Sequence, residues 1–277
     1  MALDLGGLRL TLEGLSDELA HTMLRRYGPF ACRAGDAESD LTVRLGSENC
    51  EYFIDPPKEP EYNPVLLTLD GDRIRFLGYR LAGWFEIRGG SGEILLARGN
   101  YEPADRAIEN FIRVAFAWLA ASRGGSLVHA ASLVLGSRGY LFYGESGAGK
   151  STLAACNNRG IVLSDDLSLV LPDTNGHLEL VGSPFRGTYD KGDPVQGRFP
   201  LVAGFRLRQG AKARVEKVSR AIAWSGLVAN LPFVNEFFPD RPELLATAER
   251  AFSGIPLAHL FFCKDESYWD AVEEAGL

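Results

Sequence analysis

The sequence has few cysteines and no pair of them in a C-x-x-C arrangement. The four that occur, Cys32, Cys50, Cys156 and Cys263, lie far apart in the chain. Structural zinc sites and the disulfide frameworks of small secreted domains need several cysteines at characteristic spacings. We therefore expect neither of these. Instead, we expect reduced thiols buried in the core of a cytoplasmic protein.

A surplus of basic residues is also missing. The chain has 29 Lys and Arg against 36 Asp and Glu, a net charge of −7. Because nucleic acids and anionic membranes attract basic surfaces, we expect neither as a partner. The most apolar helix-like run, residues 114–121, is far shorter than the ~20 residues that span a bilayer. The first residues include Asp4 and no basic segment, which predicts no signal peptide.

One stretch of the chain has a chemical signature. Residues 144–151 fit G-x-x-x-x-G-K-[ST], the P-loop that surrounds nucleotide phosphates. Residues 140–143 before it indicate a buried strand, and residues 151–155 after it indicate the start of a helix. Glycines allow the backbone to approach the phosphates, and backbone N–H groups can then donate to their oxygens. The predicted nucleotide-binding residues are Gly144, Glu145, Ser146, Gly147, Ala148, Gly149, Lys150, Ser151 and Thr152.

Two P-loop side chains have defined roles in this motif. Lys150 is expected to reach the β- and γ-phosphates, and the Ser151 hydroxyl to bind Mg²⁺. ATP and Mg²⁺ are therefore the predicted cofactors. A glycine-rich turn that binds nothing is the alternative. It is disfavoured because every fixed position of the motif is present between a strand and a helix.

Two adjacent carboxylates follow the next apolar strand, residues 161–163. Asp165 and Asp166 come soon after the P-loop helix, where a Mg²⁺ ligand and a catalytic base are expected. We assign Asp165 as the base and Asp166 as a Mg²⁺ ligand. The alternative is a pair of turn or helix-capping aspartates.

His129 is a third candidate. It lies in an apolar strand, residues 127–135, which we expect to form a hairpin with residues 140–143. A histidine inside an apolar strand is often a hydrogen-bonded core residue. Its place on the strand beside the P-loop strand equally favours an active-site role.

Residues 182–200 contain four glycines and three prolines, which predict a long irregular connection. Such connections are often lids, so we predict a mobile lid over the acceptor site, an ordinary surface loop being the alternative. Its cations, Arg186, Lys191 and Arg198, could meet phosphate or an acidic acceptor. Arg186 is the candidate for stabilising the transferring phosphoryl group, and a solvated loop arginine is the alternative.

The rest of the chain indicates two parts. Residues 1–122 form a β-rich module that ends in a core helix over residues 105–121, and residues 123–277 form the nucleotide-binding domain. The predicted strands of the first part cover residues 8–12, 41–45, 65–69, 73–77, 84–88 and 93–97. A helix from Ser16 to Arg26 separates the first two. The fold class is therefore α/β.

The motif order resembles a known family. His129-Ala130-Ala131, the P-loop, Arg159-Gly160 and Leu163-Ser164-Asp165-Asp166 follow one another as in the catalytic core of HPr kinase/phosphorylase and its bacterial relatives. That family shares its nucleotide fold with phosphoenolpyruvate carboxykinases. The resemblance is strongest over residues 126–171 and continues more weakly to the C-terminus. It implies a mixed-sheet P-loop kinase domain after the β-rich module.

The resemblance also implies a function. An enzyme of this kind would transfer the γ-phosphoryl group of Mg·ATP to a hydroxyl, most often a serine of a protein or peptide. His129 would contact the phosphate region or orient a carboxylate. The family has a metal-binding Glu before an Arg-Gly-Leu-Gly sequence, and residues 182–187 stand in its place here. This difference argues against recognition of HPr itself and against phosphorolysis by pyrophosphate. A non-catalytic ATP-binding module that controls a partner is the alternative, and the resemblance allows a homo-oligomer.

Overall fold

The computed structural model describes residues 1–33, 38–57 and 65–277. They form two compact units, Met1–Leu119 and Ala120–Leu277. Each unit combines helices with a sheet that has both parallel and antiparallel neighbours. The α/β class with mixed sheets is therefore confirmed at that level.

The first unit contains an eight-stranded sheet in the order β3-β1-β2-β4-β8-β7-β6-β5. The pairs β2–β4 and β4–β8 are parallel, and the other neighbours are antiparallel. The strands are β1 (Ala2–Leu5), β2 (Leu8–Glu13), β3 (Ala31–Cys32), β4 (Leu41–Ser47), β5 (Leu66–Asp70), β6 (Arg73–Leu77), β7 (Leu81–Glu86) and β8 (Ser91–Leu96). Two helices accompany them, α1 (Asp17–Tyr27) and α2 (Ala104–Ser122).

Local sequence accounts for both helices. The Ser16 hydroxyl accepts a hydrogen bond from the Leu19 N–H at 3.3 Å, which caps α1 as predicted. The predicted apolar face of α2 is buried, and Phe111 contacts Phe76 and Phe85 edge to face at 5.7 and 5.6 Å. The prediction of a core helix is confirmed.

Three strands in this unit correct the prediction. Strands β1 and β3 were not predicted, although Leu3 and Leu5 of β1 are fully buried. The strand predicted over residues 84–88 is instead β7, which begins at Leu81 and ends at Glu86. The reason is a turn after Glu86, in which the Gly90 N–H donates to Ile87 O at 3.2 Å. The apolar residue Ile87 lies in this turn, so the apolar pattern of the sequence extends beyond the strand.

The second unit also contains eight strands. They are β9 (Ser126–Leu135), β10 (Arg138–Tyr143), β11 (Ile161–Ser164), β12 (Leu167–Pro172), β13 (Leu178–Val181), β14 (Arg198–Gln209), β15 (Arg214–Glu216) and β16 (Leu257–Phe262). The helices are α3 (Lys150–Ala155), α4 (Arg220–Val228), α5 (Pro242–Ala251) and α6 (Tyr268–Glu274). The predicted hairpin that enters the P-loop is confirmed, because β9 and β10 pair antiparallel.

Strand β14 closes five strands into a ring. Its first residues pair antiparallel with β13, and its later residues pair parallel with β10. Since β10, β9, β12 and β13 are also paired in that order, the ring is complete. The loop predicted to end at residue 200 therefore ends earlier, at Gly197. Pro200 indicated irregular structure, but it lies within β14, opposite Glu179 of β13. Local composition cannot predict pairing with a strand about twenty residues earlier in the chain.

Aromatic side chains fill the core below the P-loop. Phe142 of β10 stacks on Phe205 of β14 at 5.5 Å, and Trp269 of α6 meets Phe142 edge to face at 5.9 Å. Leu153 and Ala154 bury the inner side of α3 against the same cluster. The P-loop thus leaves a strand that is packed on both faces, which limits its movement.

Two other sequence expectations concern burial. The cysteines are half-buried rather than fully buried, and Cys156 lies at the edge of the aromatic core. Within residues 1–33, 38–57 and 65–277, no helix has the length and apolar character needed to cross a membrane.

The aromatic core generates a stability prediction. Trp269 is fully buried, contacts Tyr140 and Phe142, and donates from Nε1 to Asn157 Oδ1 at 3.0 Å. We expect Trp269→Ala to lower the free energy of unfolding by about 3–5 kcal/mol, the usual cost of removing a large core aromatic. Urea denaturation measures it. Trp224→Ala is the control, because that half-buried ring should cost clearly less; equal losses would contradict this packing.

Candidate functional site

The backbone of the P-loop depends on its glycines. Gly147 and Gly149 have φ angles of 79° and 105°, a region that residues with side chains rarely adopt. Gly149 also lies against the ring of Phe262, and a Cβ atom there would come within 2.5 Å of that ring. The sequence correctly indicated glycine for backbone reasons, whereas the contact with β16 is visible only in the structure.

The carboxyl end of β14 supports the outer side of the P-loop. Arg206 Nη2 lies 3.0 Å from Glu145 Oε1, and Gln209 Nε2 donates to Gly147 O at 3.3 Å. Because β14 runs parallel to β10, the two strands end at the same edge of the sheet. Neither Arg206 nor Gln209 was a sequence candidate, since their link to the loop arises from this strand pairing.

Lys150 points back into the P-loop. Its Nζ donates to Gly144 O at 2.8 Å and to Glu145 O at 3.2 Å, and the residue is 7% exposed. Burial lowers the pKa of Lys150, while the nearby Asp166 carboxylate acts in the opposite direction. A cation placed in this way is suited to anionic oxygens bound within the loop.

One cavity of about 380 Å³ collects most of the candidate residues. It brings His129, Asp165 and Asp166 to the P-loop side chains. Its lining comprises His129, Ser146, Gly147, Gly149, Lys150, Ser151, Thr152, Asp165, Asp166, Gly187 and Thr188. Among the predicted residues, Gly144, Glu145, Ala148 and Arg186 are not in this lining.

The two adjacent aspartates have different surroundings. Asp165 is 1% exposed, and its carboxylate accepts hydrogen bonds from the backbone N–H groups of residues 187–189. The Asp166 side chain is 25% exposed, and its Oδ1 lies 3.5 Å from His129 Nε2. The two residues lie in the bend between β11 and β12, where the Asp166 N–H donates to Ser164 Oγ at 3.1 Å. Asp166 is thus the carboxylate more accessible from the cavity.

His129 is not enclosed in the core. Its backbone N–H donates to Asn230 O at 2.8 Å, and it lies opposite Leu167 of β12. The side chain is 38% exposed and borders the cavity. This exposure does not fit the interpretation of a core histidine, and the active-site role stays a prediction.

The three loop cations have other partners. Arg186 donates to Gly192 O at 2.6 Å and Asp193 O at 2.8 Å, Lys191 Nζ donates to Ala155 O at 3.2 Å, and Arg198 pairs with Glu179 at 2.6 Å. Arg198 belongs to β14, outside the loop. None of these cations is among the residues that line the cavity.

The sequence did not single out Gly187 and Thr188, although both line the cavity. They follow Arg186, which was a sequence candidate because of its charge. Their position depends on bonds to Asp165, more than twenty residues earlier in the chain. No local periodicity signals such a contact.

The oxygen atoms in the cavity suit a hard divalent cation. In the described part of the chain there is no group of three or more His, Cys, Asp and Glu side chains that could hold a metal ion. Mg²⁺ commonly takes one or two protein oxygens and completes its shell with phosphate and water. The Ser151 hydroxyl and the Asp166 carboxylate, which share the cavity, fit that requirement.

Comparison with known proteins identifies no family for this chain. No protein-family model matches the chain, and no curated protein matches its sequence.

The contact of Gly149 with Phe262 can be tested by paired substitutions. Gly147→Ala should cost about 1–2 kcal/mol of stability for the positive φ alone, since a Cβ atom at Gly147 would meet nothing within 4 Å. Gly149→Ala should cost a further 1–3 kcal/mol or so, because the Cβ atom would displace the Phe262 ring. Urea denaturation of both variants gives the comparison. Equal destabilisation would show that the contact with Phe262 is unimportant.

Proposed function

We propose that this protein is an ATP-dependent kinase that transfers the γ-phosphoryl group of Mg·ATP to a hydroxyl of a protein or peptide. The observation behind the proposal is the single cavity shared by Lys150, Ser151, Asp166 and His129. A P-loop by itself supports nucleotide binding. A carboxylate and an imidazole beside it add groups that can hold a metal or accept a proton, as phosphoryl transfer requires.

Three cavity residues then have roles. Lys150 would donate to the β- and γ-phosphate oxygens, and Ser151 and Asp166 would hold Mg²⁺. When bound, Mg²⁺ neutralises charge on the β- and γ-phosphates. The acceptor oxygen forms a bond to the γ-phosphorus while the bond from that phosphorus to the bridging oxygen of ADP breaks. The hydroxyl proton passes to a carboxylate or imidazole that borders the cavity.

The order of motifs supports the same proposal. Residues 126–171 resemble the core of HPr kinase/phosphorylase, and the antiparallel hairpin that enters the P-loop agrees with that order. We extend the resemblance to the fold and assign residues 123–277 to a P-loop kinase domain of that kind. The acceptor is left as a hydroxyl on a protein or peptide.

A second function is favoured by one observation. Arg186, the candidate cation for the transition state, bonds to the carbonyls of its own loop and is not in the cavity lining. A non-catalytic module would bind ATP and control a partner without that cation. Incubation with γ-labelled ATP separates the two functions: a kinase labels itself or a component of a lysate, whereas a non-catalytic module labels neither.

Nucleotide binding is tested with Lys150→Ala. We expect the Kd for Mg·ATP to rise roughly 10- to 100-fold, because about 1.5–3 kcal/mol of charge-assisted hydrogen bonding is lost. Isothermal titration calorimetry measures it. Lys191→Ala, which removes an exposed cation outside the cavity, is the control and should keep the wild-type Kd. An unchanged Kd in Lys150→Ala would refute the P-loop assignment.

The metal assignment is tested with Asp166→Asn. Nucleotide affinity should change little, while the Mg²⁺ concentration that half-saturates turnover should rise about 10-fold or more, since an amide is a weaker ligand than a carboxylate. Asp173→Asn, a turn aspartate outside the cavity, is the control. If both variants show the wild-type Mg²⁺ dependence, Asp166 is not a metal ligand.

A further inference from the structure

Residues 183–185 are bound to the segment that carries the two aspartates. The Ser164 hydroxyl donates to Phe185 O at 2.5 Å, and the Ser183 hydroxyl donates to Leu167 O at 3.4 Å. Ser164, Ser183 and Phe185 are buried. The first part of the predicted lid is therefore fastened next to the cavity. The name "wall" is used below for residues 187–189, which follow this fastened part.

One carboxylate holds the wall. The Gly187 N–H donates to Asp165 Oδ1 at 2.7 Å, and the Thr188 and Tyr189 N–H groups donate to Oδ2 at 3.1 Å each. Consecutive backbone N–H groups that converge in this way form an anion-binding nest. Three donors use three of about four acceptor positions of a carboxylate. Asp165 is thus a buried carboxyl group whose oxygens are bonded by the backbone of the wall.

Gly187 allows the wall to approach the aspartates closely. A Cβ atom on this residue would lie 3.1 Å from Asp165 Oδ2 and 3.2 Å from Asp166 Cβ. No side chain of residue 187 therefore stands between the wall and the two aspartates. Thr188 is then the wall residue whose side chain can border the cavity.

We infer that Asp165 is a positioning residue, which holds the wall as one side of the cavity. The three hydrogen bonds from the wall to its carboxylate, called the clamp below, and the close approach of Gly187 carry the inference. The effect on turnover rests on the proposed kinase function, whereas the clamp itself does not.

The clamp is tested by hydrogen exchange of the full chain without nucleotide. In Asp165→Asn, the amides of residues 187–189 lose a charged acceptor that takes all three bonds, and their exchange should become at least about 10-fold faster. Asp166→Asn is the matched control and should leave these amides as in the wild type. Gly187→Ala disturbs the same hydrogen bonds from the side of the wall and keeps the Asp165 carboxylate. It should also speed exchange, and it provides the test if Asp165→Asn does not fold.

The effect of the wall on turnover is tested by kcat and KM for γ-phosphate transfer to the protein itself or to water. Asp165→Asn and Gly187→Ala both disturb the clamp, so both should lower kcat and speed exchange of residues 187–189. If Asp165→Asn abolishes turnover and leaves exchange of residues 187–189 unchanged, Asp165 acts in the reaction itself and the inference is wrong. Unchanged exchange in both Asp165→Asn and Gly187→Ala also overturns it. Absence of ATP binding would refute the kinase proposal alone, because the exchange measurement needs no ATP.

Discussion

The double pairing of β14 is the constraint on which the second unit depends. Its beginning pairs with β13 and closes the ring of strands, while its end runs beside β10 and supports the P-loop through Arg206 and Gln209. The same strand places Phe205 against Phe142 in the core. One continuous element therefore links the core, the ring and the outer side of the loop. Changes at either end of β14 are expected to reach the site through the backbone.

The aspartate pair shows how one dipeptide can serve two purposes. Asp165 faces inward and is surrounded by backbone N–H groups, whereas Asp166 faces the cavity near His129. The bend between β11 and β12 carries both residues, and the contact with residues 187–189 distinguishes one from the other. A buried carboxylate requires compensation by hydrogen bonds, and three N–H groups of the wall provide it. The same three hydrogen bonds therefore satisfy the buried carboxyl group and hold residues 187–189 at the cavity.

The segment after β13 has two parts with different hydrogen-bond partners. Residues 183–189 are bound to the strand end that carries the aspartates. Within residues 190–197, Gly192 O and Asp193 O accept hydrogen bonds from the guanidinium of Arg186. The Arg186 guanidinium, a sequence candidate for stabilising the transferring group, is thus bonded within its own loop. Composition alone could not separate these halves, because glycine and proline occur in both.

Features with local causes could be read directly from the chain. The P-loop glycines, the Ser16 cap of α1 and the apolar face of α2 depend on neighbours within a few residues, and each appears in the structure. His129 and the aspartate pair were also found, because motif order places them near the loop. Their distinct environments were not, since Asp165 is set by N–H groups of residues 187–189. The extent of β14, the partners of Arg186 and the contact of Gly149 with Phe262 likewise depend on segments distant in sequence. Local periodicity records which side of an element is apolar, but only folding decides which segment lies against it.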